Sequence, residues 1–190
     1  DMQILPTKKQ TVLVAPQCYD YYFRQLGPFG INVIKFESNI FSPYPYDTPL
    51  NAAPLFDKYL FASSYTYNRL KKYFNNLQPV IVKQGYTKCS ICPVCDNALI
   101  TSDVGIYKAS KNLGIDTLYV DPRHIKLSGF SNGLFGGLTG LIAPDTLFIN
   151  GNLQNLSNYK SILAFLKKYN VLPVYSQDYD LCDIGSVIVL

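Results

Sequence analysis

Short apolar runs alternate with amphipathic stretches along the whole chain. TVLVAP (11–16), KYLFAS (58–63), NALITS (97–102) and DTLFIN (145–150) are too short for helices. They are rich in β-branched and aromatic residues, and each is predicted as a strand. Polar punctuation follows each one, then an amphipathic stretch, then a second apolar run. Helices are predicted around 19–26, 66–75, 103–112 and 158–169, with strands after them at INVIKF (31–36), PVIVK (79–83), DTLYVD (116–121) and VLPVYS (171–176). In the last helix Tyr159, Ile162, Leu163, Leu166 and Tyr169 recur at helical spacing, while Lys160, Lys167 and Lys168 lie mostly off that stripe. One face is therefore buried and the other wet. Ser102 or Asp103 is expected to cap the third helix and Ser157 the fourth, because their side-chain oxygens accept from free N–H groups. Gly114 fits the left-handed position that ends a helix.

The first strands begin near residues 12, 59, 98 and 146, spaced by 47, 39 and 48 residues. That near-constant spacing marks an internal repeat. Strand–helix–strand units favour right-handed crossovers and parallel pairing. Two arrangements fit, an open doubly wound sheet and a ring of ββαβ units. The linkers favour the ring, because ILPTKKQTVLVAP, SICPVCDNALIT and LTGLIAPDTLFIN read as hairpins, the first with its turn at Lys8–Gln10. The ending GSVIVL (185–190) reads as a lone strand able to close such a ring. The fold class expected is α/β, in repeated ββαβ units of an α/β-propeller, with units roughly at 1–36, 55–83, 94–121 and 138–176.

Composition narrows this picture. The chain has 190 residues, of which 48% are hydrophobic and 16% charged. Length gives one domain over 1–190, and the hydrophobic share excludes wholesale disorder. The low charged fraction suits strands covered on their faces. Lys and Arg total 17 against 13 Asp and Glu, a net +4. The basic pairs Lys8-Lys9, Lys71-Lys72 and Lys167-Lys168 are scattered and form no stripe, so they read as solvated helix faces and no nucleic-acid partner is expected. No apolar run reaches membrane-spanning length and no signal peptide opens the chain. Five cysteines, an odd number with three crowded together, are not a disulfide framework. They point to a reducing, cytoplasmic setting. The single Met stands at position 2, after Asp1, so the chain is expected to begin inside a longer gene product.

Four stretches carry a resemblance: KQGYTKCSIC (83–92), ALITSDVGIYKASKNLGID (98–116), RHIKLSGFSNGLFGGLTGLI (123–142) and DIGSVIVL (183–190). Together they resemble an uncharacterised bacterial family placed in the guanidino-group-modifying enzyme fold, the pentein or α/β-propeller superfamily. The resemblance covers nearly the whole chain and is strongest from Lys83 onward. It implies a five-unit ring of which this chain is about four-fifths, with the N-terminal unit incomplete. It also implies a chemistry. In arginine and agmatine deiminases, dimethylarginine hydrolases and amidinotransferases, a Cys thiolate attacks the guanidinium carbon, a His moves protons and carboxylates grip the guanidinium nitrogens. Thiolate is the strong nucleophile, imidazole titrates near neutrality, and carboxylates match the planar fork. His124, the single histidine, sits where such an enzyme could hold its proton-transfer group. The usual nucleophile lies in the last strand after a Gly-rich turn. Here that strand offers Ile188 or Val189, neither of which can act. Cys182, on the approach to that strand, and Cys89 are the substitutes.

Other constellations are weaker. Cys89, Cys92 and Cys95 form C-x2-C-x2-C, whose first reading is structural thiols. A metal site there would need a fourth ligand from Cys182 or His124, since the second pair of a zinc ribbon is absent. Gly129, Gly133, Gly136, Gly137 and Gly140 lack the Lys and Ser/Thr offsets of a phosphate cradle and read as tight turns, with Asn132 able to line a pocket. Asp121, Asp180 and Asp183 stand near strand ends as candidate grips for a cationic ligand, and Asp103 as a cap. The tyrosines of FSPYPYDTP (41–49) are expected to pack on the sheet.

Two function classes follow. One is a binding protein for a guanidino or amidine-type small molecule that lacks the usual nucleophile. The other is an active hydrolase or amidinotransferase using His124 with Cys89 or Cys182. Neither implies a cofactor. Sheet edges left by an absent unit would pair with another chain. Light scattering is therefore expected to return a homodimer, twice the 21.4 kDa of the chain; a stable monomer would remove that expectation.

Overall fold

The computed structural model describes residues 2–8, 10–55 and 57–190. By contacts the chain divides into two compact units, one running up to Thr87 and taking in Leu190, the other Lys88–Val189. Each contains two copies of the same three-stranded sheet.

In the first unit, β1 (Ile4–Lys8) pairs antiparallel with β2 (Thr11–Val14), Ile4 opposite Val14. The turn expected at Lys8–Gln10 includes Lys9, which lies outside the described residues. All four residues of β2 are buried, as expected of a strand covered on both faces. Helix α1 (Tyr19–Leu26) then leads to β3 (Asn32–Lys35), parallel to β2 with Thr11 opposite Asn32. The second sheet has β4 (Ala53–Leu55) antiparallel to β5 (Tyr59–Ser63), helix α2 (Ser64–Leu70), and β6 (Gln78–Val82) parallel to β5. This hairpin escapes sequence reading because Pro54 sits within its short first strand. Helix α2 stops earlier than periodicity suggests, and its Ser63 cap accepts from the Thr66 N–H at 3.2 Å. Leu5, Leu13, Phe36, Leu60, Leu70 and Phe74 belong to this unit's core. Tyr44 and Tyr46 depart from expectation. Both are about half exposed, Tyr44 against Tyr86 and Tyr46 against Tyr65, so they do not pack on a sheet.

The second unit opens in the short helix α3 (Thr87–Ser90). It continues through β7 (Ile91–Cys95), β8 (Ala98–Thr101), helix α4 (Val104–Asn112) and β9 (Asp116–Tyr119). β7 is antiparallel and β9 parallel to β8. The fourth sheet repeats the pattern with β10 (Thr139–Ala143), β11 (Thr146–Ile149), helix α5 (Tyr159–Lys168) and β12 (Leu172–Tyr175). Of the two candidate caps for α4, Asp103 serves: its Oδ1 accepts from the Ile106 N–H at 2.8 Å. Ser102 instead accepts from the Phe135 N–H at 3.0 Å. Ser157 does not cap α5. The helix starts after Asn158, whose Oδ1 is engaged by the Asp121 N–H. Gly114 takes φ +73° and ends α4 as expected. Ile162 and Leu166 of α5 are fully buried with Ile100, Phe135, Leu147 and Leu181. Among the described residues no helix is long and apolar enough to cross a membrane.

The expected closing strand does not form. Gly185 and Ser186 take φ +88° and +80°, which breaks the pleat. Ser186 and Val187 still donate to the Gly137 and Thr139 carbonyls, at 2.7 and 3.0 Å, so the segment lies along the edge of β10 without becoming a strand. Just before it, Asp183 is 8% exposed. Its Oδ2 accepts from the Leu134 N–H at 2.9 Å and its Oδ1 from the Gly185 N–H at 3.0 Å. A Cβ on Gly137 would fall inside this carboxylate. Gly137→Ala must therefore displace a buried, hydrogen-bonded charge. Chemical denaturation is expected to show a loss of about 3 kcal/mol; a loss within experimental error would mean that the loop carries no such constraint.

Candidate functional site

Two stretches of the second unit, 124–126 and 180–183, run side by side. Lys126 N–H donates to the Leu181 carbonyl at 2.8 Å, and Asp183 N–H donates to the Lys126 carbonyl at 2.9 Å. This forms a parallel bridge between Lys126 and Cys182. Side chains alternate across such a pairing. Ile125, Leu181 and Asp183 turn inward and are buried. Lys126, Asp180 and Cys182 take the other positions, and together with His124, in the turn before Ile125, they line one open cleft of about 720 Å³. Phe130, Ser131 and Asn155 complete much of its wall.

The cleft backbone is held from behind. Asn150 Nδ2 donates to the Cys182 carbonyl at 2.8 Å, and the Cys182 N–H returns a bond to the Asn150 carbonyl at 3.3 Å. Gly151, at φ +106°, lets the chain pass where a Cβ would strike Leu181 Cα at 2.7 Å. On the opposite stretch His124 takes φ +83°. That is unfavourable for a side-chain-bearing residue and is common where a site demands it.

Charge in the cleft is paired. Lys126 Nζ lies 2.6 Å from Asp180 Oδ2, and Asn155 Nδ2 donates to Asp180 Oδ1 at 3.1 Å. The hydrogen bond from Lys126 holds the Asp180 carboxyl below the usual carboxylate range, and Asp180 in turn raises Lys126. Both therefore stay ionised through neutral pH. Cys182 is partly exposed.

The remaining candidates lie elsewhere. Asp121 is engaged by the guanidinium of its neighbour Arg123, whose Nε is at 2.7 Å, and this bond lowers its pKa. Asn132 turns back on its own loop, donating to the Gly133 carbonyl at 3.0 Å. Asp183 is the buried carboxylate already described. None of these three lines the cleft, and neither does Cys89, which is buried in α3. Cys92 and Cys95 lie on β7. Burial pushes the Cys92 thiol up to about 11, so it stays protonated and is a poor nucleophile or ligand at neutral pH. Lys88 keeps some exposed surface, but its ammonium end lies deep, and burial lowers its pKa. Among the described residues no three His, Cys, Asp or Glu side chains are grouped so that they could hold a metal ion. A second cleft of about 480 Å³, in the first unit, is lined in part by Lys8, Asp57, Tyr73 and Asn75 and contains no expected site residue.

Sequence reasoning missed Lys126, Phe130 and Asn155. Lys126 carried a signal only in lying two residues beyond His124. Nothing local marks Asn155.

A family model described as "Family of unknown function (DUF6873)" matches residues 1–188. No curated protein matches the chain. Solved structures do. An amidinotransferase of the saxitoxin biosynthetic pathway from Microseira wollei is 10% identical with a TM-score of 0.53, covering 88% of this chain and 59% of that one. DDAH from Pseudomonas aeruginosa, complexed with citrulline, is 10% identical with a TM-score of 0.55, covering 90% and 66%. C. jejuni agmatine deiminase is 11% identical with a TM-score of 0.56, covering 87% and 60%. The chain thus spans about three-fifths to two-thirds of the length of these structures. At such identities the likeness shows the fold, the α/β-propeller of ββαβ units implied by the resemblance.

If His124 is kept in its left-handed conformation for the cleft rather than for stability, His124→Gly should leave the fold as stable or stabilise it by about 0.5–1 kcal/mol. Thermal unfolding beside His124→Ala checks this. A marked loss with the glycine would show that the imidazole holds the loop.

Proposed function

The chain belongs to the DUF6873 family, and on that premise we propose that it binds a guanidino or amidine-type small molecule in the cleft of His124, Asp180 and Cys182. The observation that carries this reading is the cleft itself. A carboxylate fixed by Asn155, an imidazole and a thiol converge on one open surface of a fold shared with enzymes that modify such groups. Asp180 supplies the negative charge for a cationic group of the ligand, and charge-assisted hydrogen bonds suit that pairing.

A second reading is turnover. What favours it is that His124 and Cys182 line the same cleft. In that reading the Cys182 thiolate adds to the guanidinium carbon, and His124 protonates the amine that departs. Water then attacks the same carbon and releases the thiol. Against it stands the last segment, where the resemblance puts Ile188 or Val189 at the nucleophile's usual position.

One experiment separates the readings. Thermal shift is measured with a panel of guanidino compounds while ammonia and urea release are followed. Binding without turnover, weakened about tenfold by Asp180→Asn, is the outcome expected. Turnover abolished by Cys182→Ser would establish the second reading, and a panel without a single stabilising compound would end the first.

A further inference from the structure

The cleft of about 480 Å³ in the first unit lies where parallel strands begin. Thr11 opens β2, Asp57 stands two residues before β5, and Leu77 directly precedes β6. It shares no lining residue with the cleft of His124. We propose that it is a binding site for a neutral sugar, of monosaccharide to disaccharide size, held without being cleaved.

The lining divides by chemistry. Ile34, Pro54, Phe74 and Leu77 give the cleft an apolar base, and Phe74 and Leu77 are themselves buried. With them stand four exposed polar side chains, Lys8, Asp57, Asn75 and Asn76. Among the described residues no side-chain hydrogen bond or ion pair engages any of these four. Unpaired polar groups over an apolar base are how a small-molecule site is built, the polar contacts fixing the ligand's orientation. Charge then narrows the class. One lysine and one carboxylate share the cleft, so an anion drawn to Lys8 meets Asp57, and a cation drawn to Asp57 meets Lys8. A ligand without net charge escapes both penalties. A nucleobase would need an aromatic face to stack on. The Tyr73 ring is already engaged, with the Phe36 ring centroid at 6.2 Å and Lys72 Nζ over its face at 5.0 Å. A sugar ring asks for what remains, an apolar surface for its C–H face and polar groups for its hydroxyls. The amides of Asn75 and Asn76 both donate and accept, which matches hydroxyls that do the same. Cleavage is not expected, because glycoside hydrolysis ordinarily uses two carboxyl groups and Asp57 is the one carboxylate among the lining residues.

Nuclear magnetic resonance titration of the isotope-labelled full chain tests the site. The probes are D-glucose, D-galactose, N-acetyl-D-glucosamine and maltose. Inorganic phosphate, adenosine and L-alanine stand for an anion, a nucleobase and a zwitterion. At least one sugar is expected to shift the side-chain amide signals of Asn75 and Asn76 saturably. At least one of Asn75→Ala and Asp57→Asn is expected to weaken that sugar about tenfold, read at Asn76. Both substituted positions are exposed, and asparagine tolerates the φ of +58° at position 57. An unchanged thermal unfolding profile checks that each variant folds. A panel in which no sugar moves those signals overturns the site, as does sugar binding undiminished in both variants. Phosphate, adenosine or L-alanine moving the signals as strongly as the best sugar also overturns it. None of these outcomes bears on the guanidino reading, which rests on other residues.

Discussion

The cleft depends on a pairing of only two hydrogen bonds, from Lys126 to Leu181 and from Asp183 to Lys126. These set two short extended stretches in parallel. Alternation about the Lys126–Cys182 bridge then does most of the sorting. Ile125, Leu181 and Asp183 are buried, while Lys126, Asp180 and Cys182, with His124 in the turn before them, line the cleft. A slip of one residue would reverse every side chain, burying Lys126 and Cys182 and exposing Ile125 and Leu181. The hydrophobic cost of that reversal fixes the register, and the register fixes the chemistry of the surface.

Asp183 stabilises this arrangement from the inside. Its carboxylate gathers the N–H groups of Leu134 and Gly185, and a buried carboxylate is tolerable only when its oxygens are so satisfied. The glycines around it keep the space open. Gly133 and Gly137 both lie where any Cβ would press on Asp183. The glycine-dense loop is thus shaped by a buried charge, and no phosphate cradle is needed to explain it. The residue that looked like a ligand grip is what holds the cleft's supporting loop.

Much of the repeat was legible in the sequence, for local reasons. TVLV is buried at all four positions, and a run of that kind reads as a covered strand wherever it occurs. Asp103 and Gly114 announce the ends of α4 through chemistry confined to one turn. Legibility failed where neighbours distant in sequence decide. Ser157 lost its capping role because the helix begins one residue later, with the Asn158 side chain drawn to Asp121. GSVIVL has strand composition, but positive φ at Gly185 and Ser186 overrides it. Of the residues that line the cleft, His124, Asp180 and Cys182 were singled out from residue type and place. Lys126 and Asn155 were missed because the partner that gives each of them meaning, Asp180, lies far along the chain.

Exposure bears on what the cleft can do. Catalysis on a guanidinium needs a thiolate held near a cation in surroundings where water does not screen the field. Of the five cysteines, Cys89 and Cys92 are buried, and burial holds Cys92 in its neutral form. Cys182 is the one that lines this cleft, and it shares an open surface with an exposed ion pair. Screening there weakens every electrostatic contribution. Binding tolerates this, because several modest charged contacts add up. Stabilising a transition state tolerates it less, because the gain must come from one dry, preorganised contact. The exposure of the cleft therefore supports the proposed binding over the proposed turnover.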